Sequence, residues 1–308
     1  MGVAQEIFSR LADGEVVVID GGTGTQLQVA GAPMDDDAWS GRANLEHPEL
    51  VQSVHEAYIR AGAQVIIANS FAASRAALEP AGLGAHVAEA NRLAVAAALA
   101  ARAAAASGPV AVAGSMSSFG PVAMHGRQAL GSAADAAFPS LADYREQAAL
   151  LAEAGVDLIA LELMEAPGYG RDAIEAATET GLGVWLGIAP IRMPDGTLGT
   201  DPELGSGESF EELVRILAGP GLAAVNVMHA KPDVARDAIS IIRDYYDGPI
   251  GVYAESGDWL APNWVFNGLS PQEYLLEATG WVEAGAQIIG GCCGVGPDHI
   301  RVLSDRLA

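Results

Sequence analysis

Two adjacent cysteines near the end of the printed sequence offer the most evident chemistry. Cys292 and Cys293 are the only cysteines among 308 residues, and they lie within the stretch IIGGCCGVGPDHI. Side chains alternate along a regular strand, so both thiols can face one ligand only where the strand has turned. The flanking glycines permit such a turn. A pair of thiolates suits a borderline-soft cation, so the stretch indicates a Zn²⁺ site.

Another role for the cysteine pair stays open at this point. Free cysteine is often a small buried hydrophobic residue that carries no chemistry. A disulfide between sequence neighbours would be strained, and a reducing cytoplasm disfavours it. The pair alone therefore fits either a metal site or two core residues, and the choice depends on what surrounds it.

Polar side chains recur at the ends of short runs rich in valine and isoleucine. One such Asp or Asn is usually a turn residue or a helix cap. Several of them at the ends of parallel strands instead predict a site, because barrel enzymes assemble their sites at the carboxyl ends of the strands. The set comprises Asp20, Asn69, Ser70, Glu162, Asn226, His229, Glu255, Cys292 and Cys293.

The elements that must position these residues alternate regularly along the chain. Eight apolar runs predict strands at 16–20, 65–70, 110–116, 156–163, 183–190, 222–229, 249–256 and 286–293. Helical periodicity falls at 48–61, 85–106, 141–154, 171–180, 209–217, 234–246, 272–284 and 297–307. Eight such units, with no linker or break in composition, predict a single (β/α)8 TIM barrel domain over residues 1–308. An open doubly wound sheet is the alternative, although such sheets more often have five to seven strands.

The amino-acid composition excludes several classes of binding partner. The formal net charge is −23, with 39 acidic and 16 basic residues, which would repel nucleic acid and anionic membrane surfaces. The apolar stretch at 93–106 is interrupted by Arg102 and is too short to span a bilayer. The first ten residues lack the pattern of a secretory signal, and two cysteines make no disulfide framework, so we predict a cytoplasmic protein.

Six segments carry a family resemblance. They read DGGTGTQL (20–27), ANSFAAS (68–74), GSMSSFG (114–120), LELM (161–164), PDGTLGT (194–200) and GGCCGVGPDHI (290–300). In this order they resemble the motifs of the homocysteine S-methyltransferases, the zinc-dependent barrel family that includes the betaine and S-methylmethionine enzymes. The resemblance implies that three thiolates hold zinc, and that the metal deprotonates homocysteine for attack on the methyl group of a sulfonium or ammonium donor.

The third zinc ligand of that family is missing here. The family has cysteine in a G-NC pattern at the end of the sixth strand, whereas this chain has Asn226 followed by Val227. Valine cannot coordinate a metal, so we consider His229 as the replacement. Because side chains alternate along a strand, His229 is expected on the same side as Val227, one pleat nearer the mouth. A Cys2His zinc site with one open position is a known arrangement, although His229 could instead bind substrate or cap a loop without metal.

The remaining site residues follow from the resemblance and from two departures. By resemblance, Asp20 and Glu162 hold the amino acid part of the acceptor, and Gly21, Asn69 and Asn226 belong to the same predicted substrate site. Near the end of the seventh strand, Glu255 and Asp258 replace a Y-PN-G-like family sequence, and extra carboxylates favour a cation in the pocket. Several aromatics in predicted loops could contact a methylated onium group, and Trp259 beside Asp258 is preferred over Trp39, Phe119, Tyr144, Trp264 and Phe266.

These observations predict an S-methyltransferase that moves a methyl group from a sulfonium or quaternary ammonium donor to a small thiol. Homocysteine is the expected acceptor and methionine the product, with Cys292, Cys293 and Glu162 as catalytic residues. The resemblance is also compatible with a homo-oligomer. Loss of the third cysteine keeps two alternatives open: a family member with a changed acceptor or zinc-independent chemistry, and a binding protein without turnover.

Overall fold

Eight parallel strands form the centre of the computed structural model, which describes residues 2–120, 125, 138–202, 207–260 and 263–308. Each strand is short and apolar, as a strand that is covered on both faces must be. In chain order the strands are Val17–Val18 (β1), Val65–Ala68 (β2), Ala111–Ser117 (β3), Leu158–Glu162 (β4), Gly183–Ile188 (β5), Ala224–Met228 (β6), Ile250–Ala254 (β7) and Ile288–Gly291 (β8).

Helices separate the strands and cover the outside of the sheet. Ser140 and Ser270 begin two of them with capping boxes, in which the serine side chain accepts a hydrogen bond from the third helical residue. The helices of the described residues are Val3–Ala12, Thr23–Val29, Ala43–Glu46, Pro48–Arg60, Arg75–Leu78, Val87–Ala105, Leu141–Ala154, Pro167–Thr178, Phe210–Leu217, Ala235–Arg243, Pro271–Glu283 and Pro297–Leu307, with short 3-10 turns at Gly84–His86 and Pro232–Val234.

The sheet closes on itself between the first two strands. Strand β1 pairs in parallel with β8, and every other neighbouring pair around the sheet is parallel as well. An isolated parallel bridge between Ile19 and Val65 joins β1 to β2, and the amide of Asp20 donates to the carbonyl of Val65 at 3.0 Å. This closure confirms the predicted (β/α)8 barrel and excludes the open doubly wound sheet.

Side-chain alternation divides the core into two layers. Inward-facing residues such as Ala160, Trp185 and Met228 fill the barrel, in a cluster that also includes residues of the helix Val3–Ala12. Outward-facing residues such as Leu161 and Val227 pack under the surrounding helices. Polar residues are therefore tolerated mainly where the strands end, which is where the candidate site lies.

All eight predicted strands are present, and the eight predicted helices match observed ones to within a few residues. Two antiparallel hairpins were not predicted from the sequence. One pairs Ile191–Arg192 with Leu198–Gly199 after β5, and the other pairs Asp258–Leu260 with Asn263–Val265 after β7. The second hairpin brings Trp264 beside the barrel mouth.

Candidate metal centre and active-site pocket

The two cysteines lie in a turn that begins directly after β8. The amide of Cys292 still donates to Ala254 in the neighbouring strand at 2.9 Å, and the amide of Val295 then folds back onto the carbonyl of Cys292 at 3.1 Å. Gly294 has a φ of 82°, a conformation that favours glycine. The turn breaks the alternation of the strand and leaves the two Sγ atoms 3.9 Å apart, as the sequence predicted.

His229 joins the cysteines from the end of β6. Its Nδ1 atom lies 3.6 Å from Sγ of Cys292, and ligand atoms of the three side chains lie within 4.8 Å of one another. Among the described residues this is the one group of histidine, cysteine or carboxylate side chains with such spacing. The structure therefore brings together the three residues that the sequence nominated as metal ligands.

The prediction that strand alternation directs His229 into the barrel mouth was wrong, however. Val227 does not face the barrel mouth but packs in the outer layer under the helices, where it is fully buried. Regular alternation of side chains along β6 would direct the side chain of His229 outward as well. Instead His229 adopts a positive φ of 45° directly after β6, and this turns its ring into the pocket. Positive φ is uncommon for a residue with a side chain and is found at strained functional positions.

Two of the three separations between the ligand atoms fit a tetrahedral zinc ion, and the third, between Cys293 and His229, is within 4.8 Å. With Zn–S of about 2.3 Å and Zn–N of about 2.0 Å, tetrahedral angles place two sulfurs about 3.8 Å apart and sulfur and nitrogen about 3.5 Å apart. The observed separations are 3.9 Å between the sulfurs and 3.6 Å between Cys292 Sγ and His229 Nδ1. Two thiolates and one imidazole also match the ligand chemistry of a catalytic zinc site.

Electrostatics favour charge separation at this centre. The hydrogen-bond contact with Cys293 and the adjacent His229 hold the pKa of the Cys292 thiol well below its ordinary value. Burial lowers the pKa of His229, but its contact with Cys292 and the nearby carboxylates outweigh burial and raise the pKa to about 9. The protein alone thus stabilises a thiolate beside a cation, which is the environment a divalent metal ion would use after displacing the imidazole proton.

Two buried carboxyl groups, those of Asp20 and Glu162, lie close enough to Cys292 to interact with it electrostatically. Asp20 is 1% exposed; its Oδ2 accepts from the amide of Ile67 at 2.8 Å, and Oδ1 has no hydrogen-bond partner among the described residues. Glu162 accepts from the hydroxyl of Ser115. Burial raises the pKa of Asp20 well above its usual range and that of Glu162 to about 7. Such groups are suited to receive a cationic ligand.

The other predicted substrate residues differ in their surroundings. Gly21 lines the pocket, and a side chain there would collide with the carbonyl of Val295. Asn69 also lines it, but its amide is already bonded to Ser40 and Asn44. Asn226 lies on the inward face of β6, fully buried, and neither of its amide atoms has a protein partner among the described residues.

The segment after β7 brings a charged cluster to the pocket rim. Glu255 lines the pocket, and Lys231 contacts both Glu255 and Asp258. Asp258 is largely exposed. The side chain of Trp259 lies outside the described part of the structure, so the predicted onium contact stays a prediction.

An aromatic wall also lines the pocket; two of its members, Trp39 and Phe119, are loop aromatics that the sequence ranked behind Trp259, whereas Phe71 was not identified from the sequence. Trp39, Phe71 and Phe119 contact one another with ring centroids 5.3–6.2 Å apart. All three face a cavity of about 460 Å³ that also reaches Glu162, His229 and the cysteines. Phe71 directly follows the polar residues at the end of β2, and that position was the available signal.

Comparisons with known proteins agree with this arrangement. A family model described as homocysteine S-methyltransferase matches residues 17–307. Homocysteine S-methyltransferase 1 of Zea mays is 34% identical over 329 residues, which cover 100% of this chain and 98% of that protein. Selenocysteine methyltransferase of Astragalus bisulcatus is 30% identical and covers 94% and 91% of the two chains.

Solved structures point to the same family. The oxidised form of the Escherichia coli homocysteine methyltransferase MmuM superposes with a TM-score of 0.74 at 26% identity, covering 94% of this chain and 96% of that chain. Its metallated form gives a TM-score of 0.70 at 27% identity, covering 95% and 96%. The closed (β/α)8 barrel with a cysteine pair at its mouth agrees with these comparisons. This chain belongs to the homocysteine S-methyltransferase family and is a methyltransferase.

The described helices include none that is both long enough and apolar enough to cross a bilayer.

Proposed function

We propose that this protein transfers a methyl group from a cationic onium donor to the thiol of homocysteine, at a zinc site held by Cys292, Cys293 and His229. One observation carries the proposal. Three soft or borderline ligand atoms converge at the mouth of a barrel whose family acts on homocysteine, with spacings that fit tetrahedral zinc. When bound, zinc supplies a thiolate at neutral pH by lowering the pKa of the acceptor thiol.

Asp20 and Glu162 are proposed to bind the ammonium group of the acceptor. Both carboxyl groups are buried close to the cysteines, and Oδ1 of Asp20 has no protein donor among the described residues. An ammonium group would supply the missing hydrogen bonds and favour the ionised carboxylates. With the amino group held there, the thiol of the acceptor would point toward Cys292 and Cys293.

The walls of the pocket favour a donor with net positive charge. Glu162, Asp201 and Glu255 line it, and no lysine or arginine does so among the described residues. The Trp39, Phe71 and Phe119 rings offer π-faces to a methylated sulfonium or ammonium group. A sulfonium amino acid suits this acidic lining better than a betaine, because it has a net positive charge whereas a betaine is neutral overall.

The reaction itself is an in-line displacement. The acceptor thiolate forms a bond to the methyl carbon while the bond from that carbon to the onium atom breaks, and the electron pair of that bond stays on the leaving donor. A negative and a positive charge are both consumed, so two neutral sulfur compounds leave when the donor is a sulfonium. The residues described here bind and align the reactants and move no proton in that step.

Selenocysteine is a second candidate acceptor, because relatives of 30% and 29% identity are named as selenocysteine methyltransferases. Its selenol would use the same ligand position as the homocysteine thiol, and its shorter side chain would place the ammonium group differently. Comparing the two acceptors at equal donor concentration tests which of them fits the distance from the metal ligands to Asp20 and Glu162.

We further propose that residues 1–308 act as one domain in the cytoplasm, where a reducing environment keeps both thiols available for metal. We also propose that the protein forms a homo-oligomer. Sedimentation of the purified protein would test this.

The deciding experiment combines metal analysis with a donor screen. Protein purified without chelator should contain one zinc per chain and should methylate homocysteine with a sulfonium donor. Cys292→Ser and Cys293→Ser should each lose the metal and the activity, because a hydroxyl ionises far less readily than a thiol. Full activity in metal-free protein would contradict the zinc site, and absence of methyl transfer with every donor and acceptor would favour a binding protein.

A further inference from the structure

Two serines near the end of β3 donate hydrogen bonds to residues that line the active-site pocket. The hydroxyl of Ser115 donates to the carboxyl group of Glu162. The hydroxyl of Ser117 donates to the carbonyl of Phe71 at 2.6 Å. Glu162 and Phe71 line the pocket, whereas neither serine is among its lining residues. The two serines can therefore act on a ligand only through the residues that they contact.

Ser115 and Glu162 both face the interior of the barrel, because side chains alternate along β3 and β4. The register pairs Ser115 with Ala160 and Ser117 with Glu162, so Ser115 lies one layer below the carboxyl group. Ser115 is fully buried, and its own carbonyl accepts from Oγ of Ser70 at 2.9 Å. Its hydroxyl is thus fixed on the barrel side of Glu162, and the pocket side of the carboxyl group is left for a ligand.

A second hydroxyl adjoins the same carboxyl group from β7. The phenol of Tyr253 lies close enough to Glu162 to interact with it. An ionised carboxylate can accept hydrogen bonds at both of its oxygens. Without the hydroxyl of Ser115, the carboxylate would be free to turn toward Tyr253. Ser115 therefore selects one orientation of the Glu162 carboxylate.

Ser117 has the corresponding position behind the aromatic wall. Its Oγ donates to the carbonyl of Phe71 and accepts from the amide of Phe119 at 3.1 Å. The two phenylalanine rings lie with centroids 5.3 Å apart. Ser117 is fully buried, so water does not compete for these contacts. One hydroxyl thus fixes the backbone that carries two of the three rings of the wall.

We infer that Ser115 and Ser117 are positioning residues, one for each of the two substrates. Ser115 orients the carboxylate of Glu162 toward the ammonium group of the acceptor. Ser117 holds the backbone of Phe71 and Phe119 so that both rings face the onium group of the donor. The inference rests on the proposed function and adds two residues that touch neither substrate. A group already held in its binding orientation loses less conformational freedom on binding, which raises affinity.

The two serines should have separable effects, although they are close together on one strand. Replacing Ser115 should affect the acceptor through its amino group alone, because only Glu162 is released. Replacing Ser117 should affect the donor alone. A serine that merely stabilises the barrel would weaken the binding of both substrates when it is replaced.

The experiment uses the full chain loaded with zinc and compares wild type with Ser115→Ala and Ser117→Ala. Each variant removes one buried hydroxyl from β3, so each is the matched control for the other. Calorimetry gives dissociation constants for homocysteine and for γ-mercaptobutyrate, which has the same thiol and carboxylate but no amino group. Initial rates at saturating homocysteine give KM for S-methylmethionine as the donor. Thermal unfolding checks the fold of each variant.

We expect Ser115→Ala to bind homocysteine about tenfold more weakly than wild type, and γ-mercaptobutyrate to within about twofold of wild type. In a Glu162→Gln background the same change should have little further effect, because Ser115 acts through that carboxylate. Ser115→Thr, which keeps a hydroxyl, should retain the preference for homocysteine. Ser117→Ala should raise KM for S-methylmethionine about threefold or more and leave homocysteine affinity unchanged.

Unchanged homocysteine affinity in Ser115→Ala, or equal weakening of both thiols, would overturn the role of Ser115. A raised homocysteine dissociation constant in Ser117→Ala with an unchanged donor KM would overturn the role of Ser117. In either case, loss of the preference for homocysteine in Glu162→Gln would leave the proposed function intact. Wild type that transfers no methyl group to homocysteine from any sulfonium donor would overturn the proposed function and the inference together.

Discussion

Sγ of Cys292 lies 3.6 Å from Nδ1 of His229, which is two residues beyond the position where the family has its third cysteine. In the proposed zinc site, the third ligand has therefore moved along the chain to His229. The movement depends on the backbone, because Val227 faces the outer helices whereas His229 turns inward with a φ of 45°.

His229→Ala should lose the metal, because two thiolates alone leave the site short of protein ligands. His229→Cys should retain zinc, since the new thiolate takes a similar position and is a strong zinc ligand. Zinc content after dialysis measures both effects. Retention of stoichiometric zinc by His229→Ala would show that the histidine is not a ligand.

Val227→Cys should not restore zinc to His229→Ala. The side chain of Val227 is buried in the outer layer, so a thiol there would face the helices and not the cysteine pair. Zinc analysis of the double variant against His229→Ala alone tests this, with thermal unfolding as the control for the fold. Recovery of zinc in the double variant would mean that residue 227 can reach the barrel mouth.

Glu162 should give the protein a distinctive dependence on pH. Burial raises its pKa from an ordinary 4.5 to about 7, so the protonated form is the one that favours folding. That contribution is fully present below pH 4.5 and is lost as the pH rises through about 7. In acceptor-free protein, Glu162→Gln should flatten this decline and raise the free energy of unfolding at pH 8 by up to about 3 kcal/mol.

The same substitution, Glu162→Gln, should weaken binding of the acceptor. A charged hydrogen bond to an ammonium group contributes about 1.5–3 kcal/mol, so Glu162→Gln should lower homocysteine affinity by roughly tenfold or more. In wild type the affinity should rise as the pH passes through about 7, because the ionised carboxylate binds the ammonium group. Calorimetry at pH 6 and pH 8 measures both effects. Equal affinity in variant and wild type would remove Glu162 from the acceptor site.

The aromatic wall of Trp39, Phe71 and Phe119 should affect binding of the donor and not binding of the acceptor. Phe71→Leu keeps an apolar side chain but removes one π-face, so we expect a several-fold higher KM for a sulfonium donor. Homocysteine affinity should stay unchanged, because its proposed partners are the carboxylates of Asp20 and Glu162 and not the aromatic rings. A parallel rise in the homocysteine dissociation constant would indicate a general disturbance of the pocket.

Gly22 should be required for the shape of the cysteine turn. A Cβ atom there would come within 2.6 Å of the carbonyl oxygen of Cys292, so Gly22→Ala must displace one of the two segments. We expect weaker zinc binding with little change in overall fold. Gly168→Ala is the matched control, since a Cβ atom at Gly168 meets nothing within 4 Å. Equal zinc affinity in the two variants would show that the turn tolerates the displacement.

The sequence by itself determined the barrel and the family. Valine-rich runs and helical segments alternate eight times, and local periodicity suffices to recognise such a repeat. Cys292 and Cys293 were equally evident, because glycine on both sides of a cysteine pair is a local signal for a turn.

The tertiary structure decided how the site is completed. The ring direction of His229 depends on one backbone angle, which no rule of strand alternation contains. Trp39, Phe71 and Phe119 meet only because separate loops converge over the same mouth. The raised pKa of Glu162 and the place of Glu255 between Lys231 and His229 likewise depend on burial and distance. Local pattern encodes which element forms, whereas these properties arise from contacts between residues far apart in the chain.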